Sequence, residues 1–73
     1  MSLFALTSNE KVALERLVDG TSLATVAEAL AEIAFEKSAH LETNWQDARR
    51  AKVWSRAGER LSKVSCALHK FDV

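Results

Sequence analysis

Proline and tyrosine are absent from this chain, glycine occurs only at positions 20 and 58, cysteine occurs once, and the net charge is zero. Without proline and with so little glycine there is not enough turn material for a fold of many short strands. Cys66 has no second cysteine to pair with, so nothing implies an oxidising compartment, and the expected location is cytoplasmic. No apolar run approaches the roughly 20 residues of a membrane-spanning helix, and Met1-Ser2-Leu3-Phe4 lacks the basic start of a signal peptide. A balanced charge also provides no overall field to draw the chain towards nucleic acid or an anionic membrane.

Alanine, leucine, glutamate, lysine and arginine dominate instead, and together they favour helix. The 73 residues, 48% of them apolar, make one small all-α domain. A chain of this length is near the limit at which one core suffices without disulfides, metal or a partner, so oligomerisation is expected. Charge is unevenly distributed: residues 1–43 hold three basic and seven acidic groups, residues 44–73 seven basic and three acidic. Two halves of opposite sign suit each other.

Local signals divide the chain into three helices. Thr7-Ser8-Asn9-Glu10 fits a capping box, starting a helix over about residues 8–19 that Gly20 should end in a left-handed conformation. Phe4 or Leu6 before the cap could fold onto Ala13, Leu14, Leu17 and Val18 as a staple. Thr21 or Ser22 caps a second helix over about 22–42. Thr43-Asn44-Trp45-Gln46 repeats the Thr-x-x-Gln pattern and starts a third over about 44–70, after a break of a residue or two. A connection that short forces the two long helices antiparallel.

The long segments are mirror images about Glu42-Thr43. Ile33, Leu30, Val26 and Leu23, read backwards, match Trp54, Ala57, Leu61 and Val64, read forwards, so large apolar layers are expected between the helices. Beside them run stripes of small residues: Ala24, Ala27, Ala31, Ala34 and Ser38 on one helix, and Ala48, Ala51, Ser55, Gly58, Ser62 and Ser65 on the other. A mid-helix glycine costs about 1 kcal/mol relative to alanine, which suggests close backbone approach at Gly58. One short helix cannot cover so wide an apolar surface. The surplus predicts a homodimer resembling a four-helix bundle, with Phe35, Trp45, Val53 and Trp54 as its candidate interface.

Reactive groups are sparse. Continuing the mirror towards the turn sets Lys37 opposite Arg50 and His40 opposite Asp47, a polar tip whose plainest reading is solvated surface in which His40 and Asp47 pair. Glu32, Glu36 and His40 have the spacing of helical metal ligands, but such sites repeat the pattern on other helices and the third helix offers only Asp47. Cys66 and His69 are half of a zinc set at most. Residues 22–30 have the flavour of the first helix of a helix-turn-helix, yet Ala31 stands where the turn wants glycine. Arg49, Arg56, Lys63 and Lys70 recur every seven residues, with Lys52 and Arg60 beside them, and could contact phosphates. Glu59, the zero net charge and the Glu28-Glu32-Glu36 ladder make a solvated face, balanced by pairs within the chain or between subunits, the better reading, with nucleic acid the disfavoured alternative.

Ala29-Leu30-Ala31-Glu32-Ile33, Glu36-Lys37, His40, Asn44-Trp45-Gln46-Asp47, Ala51-Lys52, Trp54 and Ala57 together resemble a pattern in short uncharacterised proteins of bacteria and their phages. The resemblance spans about residues 22–64 and implies a self-contained helical unit without a catalytic residue or cofactor. It draws attention to the Asn44–Asp47 corner, with Lys37 and His40 across from it. The expectation is therefore a non-enzymatic protein that self-associates and acts through protein contacts.

Overall fold

A computed structural model describes residues 5–44 and 47–73, and the described chain is all-α: α1 (Ser8–Gly20), α2 (Leu23–Asn44) and α3 (Ala48–His69). The capping box forms as expected. Glu10 N–H donates to Thr7 Oγ1 at 3.2 Å, and Thr7 N–H donates to the Glu10 carboxylate at 2.9 Å. The other end of α1 differs from expectation, because Gly20 remains helical and has no positive φ. Thr21 closes the helix instead: its amide and its hydroxyl both donate to Leu17 O, at 3.1 and 2.6 Å. Ser22 then caps α2, with Ser22 Oγ accepting from Thr25 N at 3.0 Å.

The corner between α2 and α3 also departs from the repeated Thr-x-x-Gln reading. Thr43 belongs to α2 and turns its hydroxyl back to Ala39 O at 2.8 Å, while Asp47 is the cap of α3, accepting from Arg50 N at 3.1 Å. An aspartate beside the first turn also complements the helix dipole, which a threonine hydroxyl does less well. Asp47 N–H returns to Leu41 O at 3.0 Å and ties the corner shut.

α2 and α3 pack antiparallel along one another, and the side chains between them are the small ones. Ala24, Ala27, Ala31, Ala34 and Ser38 are buried from α2, and Ala51, Gly58 and Ser65 from α3. Two buried hydrogen bonds fix the register: Ser38 Oγ donates to Ala51 O at 2.7 Å, and Ser65 Oγ donates to Ala24 O at 3.0 Å. Stepping seven residues inwards from either bond sets Ala31 level with Gly58. Buried positions alternate by three and four along α2 and by seven along α3, the spacing that keeps a seam facing its partner under left-handed supercoiling. The expected apolar layers between the helices are thus replaced by a seam of alanine, serine and glycine. Small side chains let the axes approach towards the short end of the usual range of about 8–10 Å, and a Leu or Ile at the same level would push them apart.

Gly58 is needed for space. A Cβ built there would lie 2.9–3.0 Å from three carbons of the Phe35 ring, so the ring rests on the bare backbone of α3. At the far end of the hairpin, Asp72 takes a left-handed φ of 59° and turns the chain so that Val73 O accepts from Ala24 N at 2.8 Å. α1 buries no residue and packs on α2 alone. The molecule is consequently a slab of 37 × 32 × 20 Å, with a radius of gyration of 14.1 Å against about 11 Å for a compact chain of this length.

Candidate interaction surfaces

The seam divides the two flanks of each long helix at 100° per residue. On α2, Leu23, Val26, Leu30 and Ile33 lie to one side of the seam; on α3, Trp54, Leu61, Val64 and Leu68 lie to the same side, because antiparallel helices present equivalent flanks to a common face. That face holds large apolar side chains which the hairpin does not cover. Leu30 is 43% exposed, Ile33 47%, Trp54 37% and Val64 48%. The mirror between these stripes survives as two rows side by side on a surface.

α1 borders this face. Leu14 and Leu17 of α1, with Val26, Ala29, Leu30 and Ile33 of α2, line a groove of about 230 Å³. Thr21 and Thr25 also line it. The apolar spacing on α1 was visible in the sequence, but the direction in which α1 leaves Thr21 was not, so the groove was not foreseen.

Of the four candidate interface residues, the three that are described do not form one patch. Trp54 sits on the apolar face, whereas Phe35 occupies the opposite flank of α2 and covers Gly58 from there. Val53 is 63% exposed on the outer side of α3, in a shallow depression shared with Arg56, Ala57 and Arg60. Trp45, like Phe4 and Gln46, lies outside the described residues.

At the polar tip, Lys37 and His40 line an open depression of about 350 Å³ with Ile33 and Glu36. Asn44 Nδ2 lies 2.8 Å from His40 Nδ1, within hydrogen-bonding distance. Asp47 and Arg50 meet through the helix cap, where the Asp47 carboxylate takes the Arg50 backbone amide. No group of three or more His, Cys, Asp or Glu among the described residues is arranged to hold a metal ion. Cys66 is exposed and free. No described helix is long and apolar enough to cross a membrane.

Charge is arranged by edge. Arg49, Lys52, Arg56, Arg60 and Lys63 are all exposed along the outer side of α3, and Glu28, Glu32 and Glu36 are exposed along α2. Within the chain no ion pair joins these rows: the one ion pair within 4.0 Å among the described residues is His69 Nε2 to Glu28 Oε2 at 3.9 Å, at the open end of the hairpin. Glu10 has its carboxyl pKa lowered, first by the backbone amide of Thr7 and then by the Thr7 hydroxyl. No protein-family model, curated protein or solved structure matches the chain.

Proposed function

We propose that this chain is a non-enzymatic interaction module whose working form is a homodimer, joined through the apolar face of the hairpin and the neighbouring α1–α2 groove. The observation that carries this reading is the inversion of sizes, with alanines inside and leucine, isoleucine, valine and tryptophan outside. A buried methyl contributes about 0.8 kcal/mol, so an alanine seam stabilises far less than the larger side chains would if covered. Area supports a second copy as the cover. The accessible surface of 6257 Å² exceeds by about 1,750 Å² the roughly 4,500 Å² of a compact chain of this mass. Burying that excess on each of two copies gives an interface of about 3,500 Å², within the range of obligate dimers.

In a two-fold arrangement each hairpin covers the other, completing a four-helix bundle, and the polar tips remain free for a further protein partner. Sedimentation equilibrium at micromolar concentration is expected to return twice the chain mass. Leu30→Glu with Ile33→Glu should give monomer or unfolded chain, and Ala39→Glu, on the other flank of α2, should leave the dimer intact. A folded wild-type monomer whose melting temperature is independent of concentration refutes the proposal.

A further inference from the structure

We propose that the outer side of α3 is a docking rail for the phosphodiester backbone of a nucleic-acid duplex, independent of the apolar face used for self-association. In sequence, Glu59, the zero net charge and the Glu28-Glu32-Glu36 ladder weigh against this row and leave it the alternative reading. The fold separates them. Arg49, Lys52, Arg56, Arg60 and Lys63 lie within a sector roughly 80° wide at 100° per residue, directed away from the seam, and every one is exposed. None of the five makes an ion pair within 4.0 Å, and Glu59, the one acidic residue of α3, makes none either. The Glu28, Glu32 and Glu36 carboxylates belong to the other helix of the hairpin. A zero net charge therefore conceals a basic edge: α3 carries six Lys/Arg against one Glu.

The composition of the edge distinguishes between partners. Protein interfaces have an apolar core from which charge is depleted, and the outward side of α3 offers little beyond Val53 and Ala67 for such a core. Sites for single strands interleave aromatics on which bases stack, and this row has none. Arginine and lysine repeated along a straight element match a regular row of phosphates. From Arg49 to Lys63 the rail is about 21 Å long, equal to the rise of about six base pairs. Cations lined up on phosphates position a duplex without reading its bases, so binding should be insensitive to sequence.

Four phosphate contacts would give a slope of about −3.6 in log affinity against log salt, a loss of about 150-fold between 50 and 200 mM salt. Fluorescence anisotropy with a labelled mixed-sequence DNA duplex of two helical turns tests this on the full chain. Arg56→Glu with Lys63→Glu should weaken binding at least tenfold at low salt, and Arg56→Ala with Lys63→Ala should reduce the slope by about two. Lys11→Glu with Arg16→Glu on α1 changes net charge equally and should alter affinity less than threefold. Unchanged circular dichroism in the alanine pair keeps the test independent of folding. The proposal is overturned by no binding at low salt, by equal loss in the α1 and α3 charge reversals, by tighter binding of single-stranded RNA, or by competition from polyglutamate as effective as that from unlabelled duplex.

Discussion

Replacing Gly58 by alanine sets two effects of known size against each other. In an exposed helix interior the change gains about 1 kcal/mol of helix propensity. Here the new methyl would sit 2.9–3.0 Å from the Phe35 ring, where optimal carbon–carbon contact is about 3.5–4.0 Å, so the ring must retreat by at least about half an ångström. Overpacking of this kind costs about 1–3 kcal/mol. Phe35 is 42% exposed and can swing outwards, which places the cost near 2 kcal/mol and the net effect of Gly58→Ala near 1 kcal/mol destabilising. In a Phe35→Ala background the overlap disappears and the same substitution should stabilise by about 1 kcal/mol. The sign reverses. Urea denaturation of the four proteins of this cycle, followed by far-ultraviolet circular dichroism at one fixed concentration, should yield a coupling of about 2 kcal/mol. On heating, each kcal/mol should move the melting temperature by about 4–8 °C. If Gly58→Ala stabilises equally in both backgrounds, Phe35 does not rest on α3 and the proposed reason for the glycine fails.

Three further outcomes follow from hydrogen bonds. Ser38→Ala and Ser65→Ala should each cost about 1 kcal/mol in urea titrations, since each removes one buried bond while the accepting carbonyl keeps its place in a helix. Their effects should add, because the two bonds lie about 20 Å apart along the hairpin; marked non-additivity would contradict the seam register. Glu10 has a depressed folded pKa, so its share of α1 stability is present above the ordinary glutamate value of 4.5 and is lost as pH falls through the lower folded value. An NMR titration should find Glu10 titrating below the ordinary glutamate value of 4.5, and Thr7→Ala should raise it; an unchanged Glu10 titration in Thr7→Ala would dismiss the capping box as its cause.

Local chemistry was the part of the fold that sequence made readable. Thr7 and Glu10 are three residues apart and need only each other, so their pairing survives any tertiary arrangement. The alternation of small residues from Ala24 to Ser38 was equally visible. Expecting the large stripe between the helices was the error, because the large stripe from Leu23 to Ile33 and the small one share a helical period and both mirror onto α3. The choice depends on how closely two axes can approach, a property of the pair. One sign was available: Ala24, Ala31 and Ser38 fall at intervals of seven, as do Ala51, Gly58 and Ser65. Two helix boundaries went astray for a related reason. Gly20 and Thr43 are common terminators and caps, but Thr21, one residue on, and Asp47, four residues on, have side chains better placed to take the orphan groups. At the candidate surfaces, residue type placed the basic row correctly on α3 but could not say whether the acidic ladder would reach it.

A seam of near-identical small residues carries little information about alignment. Sliding α3 by seven residues against α2 would still set alanine, serine or glycine against one another, so most layers would tolerate the slip. Three features oppose it: the serine bond at each end, the Phe35 ring over Gly58, and a connection of only three residues between Asn44 and Ala48. The corner therefore acts as the ruler for the hairpin. Residues inserted between Asn44 and Asp47 would free the helices to exchange registers, or to pair with those of a second copy, without any loss of seam chemistry.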